Sequence, residues 1–152
     1  MGKALVTGAG RRIGRAMALY LADQGHDVVV HFASSAEEAN DVVAQIRAKG
    51  RIAEAVQADL TSEDATQQLV AKSVAAIGGP LTVLVNNASI FEYDDISTAT
   101  RVLWDRHLET NLRAPFVLTQ HFAAQAPEAV IDALGEPQAQ ALVVNMIDQR
   151  VR

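Results

Sequence analysis

The stretch "VTGAGRRIG", Val6 to Gly14, holds Gly8, Gly10 and Gly14 between an apolar run and a helix-forming run. The spacing is G-x-G-x-x-x-G, one residue longer than the common dinucleotide fingerprint. The physical requirement is the same. The chain must leave a strand sharply, and its backbone must come close to a pyrophosphate. The helix that follows then turns its free N–H groups and positive dipole end toward the phosphates. The plainer alternative is a glycine-bearing turn that holds no ligand.

A second group of residues bears on the ligand. Where an NAD site usually places Asp or Glu at the tip of the second strand, the sequence reads "VVVHFASSAEE". No acid precedes Glu37, and the tip is Ala33-Ser34-Ser35. Arg11 and Arg12 lie in the facing glycine loop. Two guanidinium groups and two hydroxyls suit a 2′-phosphate, with no carboxylate to repel it. The expectation is NADP(H) over NAD(H), unless both arginines are only solvated surface charges. His31, at the same strand end, reads more readily as a packed histidine than as a cofactor contact.

Short β-rich runs alternate with helical ones and would position these groups. "KALVTG", "HDVVVHF", "IAEAVQADL", "PLTVLVNNAS" and "AQALVVNM" read as strands. "IGRAMALYLADQG", "SAEEANDVVAQIRAKG" and "SEDATQQLVAKSVAAIGG" read as helices, with a longer one from about Thr100 to Ala126. Several strands are apolar without clean alternation, as in a parallel sheet covered on both faces. The expectation is an α/β fold, a Rossmann-type doubly wound parallel sheet with five strands, over one domain at 1–152. Pro115 should kink the long helix.

Composition narrows the function classes. The 152 residues suffice for one domain, with 49% hydrophobic and 20% charged residues. A net charge of −5 argues against a nucleic-acid platform. Without cysteine there is no disulfide or thiolate metal site, and the four histidines show no metal-ligand spacing. Only three apolar residues in a row precede Thr7, too few for a signal peptide, and Val6 stands where a myristoylation signal wants Ser or Thr. No apolar run approaches the ~20 residues that span a bilayer. A cytoplasmic protein acting on a small molecule, with no nucleic acid, membrane or metal, is the default.

Several motifs in order give a more specific reading. Thr7, Gly8 and Gly14 fit T-G-x-x-x-G-x-G, and "ADL" at 58–60, "NNAS" at 86–89, "TNLRAPF" at 110–116 and "NMID" at 145–148 follow. The chain resembles the short-chain dehydrogenase/reductase family along its whole length. Arg12 departs from the small residue usual at its position, and in this it looks most like the pteridine-reductase branch. The resemblance implies a cofactor cradle of Gly8, Arg11, Arg12, Ile13 and Gly14, with Arg12 and Ser35 the favoured phosphate contacts and Ser34 beside them. It places Asp59 and Leu60 at the adenine, though Asp59 also reads as a helix N-cap. Asn87, Ala88 and Ser89 fall on the nicotinamide side. Phe91 would stack a flat pterin against the nicotinamide, and Ser89 would add a hydroxyl there; the plainer alternative for Phe91 is a loop anchor. Asn111 takes the place of the catalytic asparagine that helps hold a relay water, and without the resemblance it is only a helix amide. Asp148 takes the place of a substrate-contacting serine and would handle protons, or cap a turn.

The family's Tyr-x-x-x-Lys pair is absent: neither Tyr20 nor Tyr93 has Lys four residues on. The chain therefore reads as the N-terminal part of a reductase, with the C-terminal part of the fold missing and the fifth strand left as an apolar edge. The expected activity is NADPH-dependent hydride transfer to a small substrate, possibly a pterin or related flat heterocycle. The alternatives are a general carbonyl or ketoacyl reductase and, from another class, a non-catalytic nucleotide-binding module. The resemblance also implies a dimer or tetramer built on the helix from Thr100.

Overall fold

The computed structural model describes residues 2–147. Five parallel strands form one sheet in the order β3-β2-β1-β4-β7. They are β1 (Lys3–Val6), β2 (Asp27–Phe32), β3 (Ala53–Gln57), β4 (Val83–Asn86) and β7 (Leu142–Asn145). The helices between them are α1 (Arg12–Asp23), α2 (Ala36–Ala48) and α3 (Glu63–Ile77). A longer helical segment, α4 (Arg101–Leu108), a π-helical turn (Glu109–Arg113) and α5 (Ala114–Gln125), leads toward the last strand.

The unbroken apolar runs have a direct cause. Successive strand residues point to opposite faces, and both faces are covered. Ala4, Val6, Val28, Val30, Val83 and Val85 pack with Ala18, Ala22, Val42 and Ile46 of α1 and α2. Leu5, Val29 and Leu84 pack with Leu69, Leu118 and Phe122 of α3 and α5. The order in which strands are added reverses at β1: β2 and β3 lie to one side, β4 and β7 to the other. The carboxyl ends of β1 and β4 therefore flank a crevice, the place where open parallel sheets bind ligands.

Three elements differ from expectation. The helix expected from Thr100 to Ala126 runs unbroken from Arg101 to Gln125, but with a π-helical turn set into it at Glu109–Arg113. Pro115 is the second residue of α5, directly after the π-helical turn, so the disturbance expected of a proline without an N–H appears here as a locally wider turn. The connection 126–141 carries a small antiparallel pair, β5 (Val130–Ile131) with β6 (Pro137–Gln138). The Asp132 carboxylate organises its turn by accepting the N–H groups of Leu134 and Glu136. The fifth strand of the main sheet, expected over 139–146, is only four residues long, and Leu142 is exposed beside half-buried Val143 and Val144.

Candidate cofactor and substrate crevice

Thr7 directly follows β1 and joins the two sides of the crevice. Its hydroxyl donates to the Val85 carbonyl at 3.2 Å. The same oxygen accepts the N–H groups of Asn87 and Ala88, each at 2.9 Å. The Asn87 amide returns the contact, donating to the carbonyls of Thr7 (2.8 Å) and Gly8 (3.3 Å). Space between loop and helix is fully used. A Cβ at Gly8 would stand 3.0 Å from the Ala88 Cα, and one at Gly14 would overlap the Gly8 carbonyl oxygen and the Asn87 amide. Gly8 also has a left-handed φ of 63°.

His31 holds this loop from behind. It is 1% exposed. Nδ1 accepts the Gly8 N–H at 3.0 Å, so the ring proton sits on Nε2, which donates to the Ala58 carbonyl at 3.0 Å. Burial pushes the imidazole down to about 4, against the opposing effect of the Ala58 hydrogen bond. The ring is neutral near pH 7 and belongs to the packing of the site, as its strand-end position suggested.

The two arginines part ways. Arg11 is engaged by the Glu38 carboxylate, its Nε at 2.7 Å. Arg12 is exposed and has no partner among the described residues. Its φ is 50°, the only positive φ of a non-glycine residue in the described chain. That explains the small residue usual there: an L side chain in this conformation costs roughly 1–2 kcal/mol. Ser35 stands at the N-cap of α2 without capping it. Its hydroxyl lies against Gly10 instead, 3.1 Å from where a Cβ would be. Ser34 and Ile13 are exposed beside them.

At the end of β3, Asp59 accepts the N–H (2.9 Å) and hydroxyl (2.8 Å) of Thr61. Those bonds, the backbone one first, hold its carboxyl below the usual range. The N-cap of α3 is Ser62, not Asp59. Leu60 buries its side chain in the core on the α3 side, so only its backbone is left for a ligand.

On the far side of the crevice, Ser89 is exposed and Phe91 is 74% exposed. Asn111, in the π-helical turn, accepts the Ile90 N–H and donates to the Ile90 carbonyl, both at 2.9 Å. The structure thus brings the glycine loop against Asn87 and Ala88, Gly10 against Ser35, and Asn111 against the loop that carries Ser89 and Phe91. Asp148 lies outside the described residues. Sequence reasoning missed Thr7 as the bridge and gave no role to His107, whose Nε2 accepts the Glu92 N–H at 3.0 Å. Among the described residues no His, Asp or Glu group could hold a metal ion, and no helix is long and apolar enough to cross a membrane.

Comparison with known proteins identifies the family and the fold. A FabG 3-oxoacyl-[acyl-carrier-protein] reductase of Staphylococcus aureus (strain Mu50) is 41% identical over 122 residues, 80% of this chain and 49% of its own length. The chain thus spans about half the length of the curated relatives it matches. Among solved structures, FolM alternative dihydrofolate reductase 1 from Brucella suis, in complex with NADP, superposes with a TM-score of 0.87 at 37% identity. That match covers 99% of this chain and 58% of the Brucella one. A short chain dehydrogenase from Burkholderia cenocepacia J2315, also in complex with NADP, gives 0.80 at 42% identity over 84% of this chain and 51% of its own. The model of the short chain dehydrogenase family matches residues 2–145, and the chain belongs to that family.

Proposed function

We propose that these residues bind NADP(H) in a reductase that acts on a small, flat heterocycle of the pterin type. The observation that carries the cofactor choice is Arg12. It has no partner among the described residues and is held in a costly left-handed conformation, which points to a functional use. Across from it are the idle Ser35 hydroxyl and a strand tip without an acid. The residues present suit the group, because Gly8 and Gly14 let the loop, α1 and the residues after β4 meet at backbone distance, as a dinucleotide crevice requires. When bound, NADPH supplies a hydride. The chain's own groups do the rest: the α1 N-terminus faces the pyrophosphate, Arg12, Ser34 and Ser35 take the 2′-phosphate, and Asp59 and Leu60 border the adenine. Ala88 and Ser89 flank the nicotinamide.

Asn111 keeps the substrate loop in place through Ile90. Its carbonyl would find its α-helical donor at position 115, a proline with no N–H, so it is suited to hold a water. Asp148 is assigned a role in handling protons at the substrate. Exposed Phe91 and the FolM likeness over 99% of the chain favour a flat ring. The FabG likeness supports a second reading, a ketoacyl substrate. Self-association is assigned to the open groove lined by Leu108, Leu112 and Phe116.

Arg12 variants test the cofactor reading. One charge-assisted hydrogen bond is worth about 1.5–3 kcal/mol, or roughly ten- to a hundredfold in affinity. Arg12→Ala should lose that factor for NADPH and little for NADH, in fluorescence titrations at fixed salt. Arg12→Gly should lose it equally while unfolding no earlier than wild type, because glycine relieves the left-handed φ. Equal weakening for both cofactors would show that Arg12 serves the turn and not the phosphate.

A further inference from the structure

Phe91 is tied down on both sides by one helical turn. Asn111 holds both backbone groups of Ile90. His107, four residues earlier, accepts the Glu92 N–H on Nε2 at 3.0 Å and donates from Nδ1 to the Leu103 carbonyl at 3.1 Å. An Nε2 that accepts makes the ring neutral, with its proton on Nδ1. Residues four apart on a helix share a face, so both side chains meet the same loop. Arg106 adds an ion pair to the Glu92 carboxylate at 2.9 Å. No residue of α4 is buried, so these polar contacts, and not core packing, join the helix to the loop. Asn111 alone would leave the chain free to turn at Phe91. The tie at Glu92 removes that freedom and fixes the direction in which the Phe91 Cα–Cβ bond leaves the loop, which is the kind of preorganisation that improves binding.

We propose that His107 is a positioning residue for the substrate: with Asn111 it clasps the backbone on either side of Phe91 and fixes where that ring stands. The proposal rests on the reading of Phe91 as the stacking residue. The test uses the full-length protein, with a dihydropteridine as substrate and NADPH saturating. His107→Leu should raise KM about three- to tenfold, the size of one lost neutral hydrogen bond. NADPH affinity should stay near wild type, the unfolding midpoint should fall by no more than the loss of one hydrogen bond allows, and amide exchange at Glu92 should speed up. His107→Gln, which can again accept the Glu92 N–H, should restore both KM and protection. Phe91→Ala should raise KM on its own. If Phe91→Ala raises KM and His107→Leu does not, the positioning role is overturned and the stacking reading stands. If neither variant moves KM, the stacking reading fails and the inference fails with it.

Discussion

Replacing Gly14 with alanine should abolish NADP(H) binding and destabilise the fold by about 3–5 kcal/mol, the range of severe single substitutions. The cause is volume and not backbone conformation, since Gly14 has no left-handed φ. The added methyl would overlap the Gly8 carbonyl oxygen and the Asn87 amide. Neither neighbour can yield cheaply. The first is backbone inside the loop, and the second bonds the carbonyls of Thr7 and Gly8. Overpacking of this kind costs about 1–3 kcal/mol by itself, and each Asn87 bond lost adds about 1. Gly78 makes the control. It has a left-handed φ of 70° and open space around it, so Gly78→Ala carries only the conformational cost, about 1–2 kcal/mol. Denaturant unfolding and NADPH titration of both variants separate the two effects. If Gly14→Ala unfolds with the wild-type midpoint, the tight approach described for this loop is wrong.

His31 should make the protein acid-sensitive in a defined window. Its folded value is about 4 against an ordinary 6.5, so between those values the unfolded chain binds a proton that the folded chain refuses. Stability from this group is complete above about pH 6.5 and falls as pH drops toward 4. The loss approaches 1.4 kcal/mol per pH unit and totals roughly 3 kcal/mol. A proton on Nδ1 would face the Gly8 N–H, donor against donor, so the glycine loop should loosen in the same window. His31→Gln keeps an acceptor and a donor but does not titrate, and should flatten the slope of unfolding free energy between pH 6.5 and 4. Asp59 does not blur this result. Its carboxyl is held below its usual value by the Thr61 hydrogen bonds, and its contribution is lost only below about pH 4. An unchanged slope in His31→Gln would place the acid sensitivity elsewhere.

Much of the fold could be read from local patterns. Apolar runs such as Val28-Val29-Val30 announce a strand covered on both faces, and the two side-chain clusters account for each residue of that run. The glycine spacing, the acid-free strand tip and the odd arginine at position 12 were all visible, and the structure adds that Arg12 carries a left-handed φ. What stayed hidden depends on partners far apart in the chain. His31 serves Gly8 and Ala58, 23 and 27 residues away, and Arg11 is committed to Glu38, 27 residues on. Periodicity reports which face a residue occupies. It does not report which distant backbone group needs a donor. The π-helical turn escaped for a related reason. Pro115 signalled a disturbance near Asn111, but the choice between a kink and a wider turn is made by packing, with Ala114 and Thr110 buried and all of α4 outside the core.

The place of β1 in the sheet sets a timetable for the newly made chain. Its neighbour on one side, β2, follows after a single helix. Its neighbour on the other, β4, comes after three, and the Thr7 hydroxyl finds its partners 80 and 81 residues downstream. At roughly 5–20 residues per second of synthesis, that wait is on the order of ten seconds. Throughout it a strand whose Ala4, Leu5 and Val6 are fully buried in the finished sheet has one unpaired edge, an arrangement prone to joining the wrong neighbour. Cofactor offers no protection during the wait, because a ligand stabilises only a state that can bind it. The glycine loop is among the first residues made, yet the residues it packs against arrive only with β4 and the stretch behind it. Mutations that slow the docking of β4 should therefore lower the yield of folded protein even when the finished molecule is as stable as before.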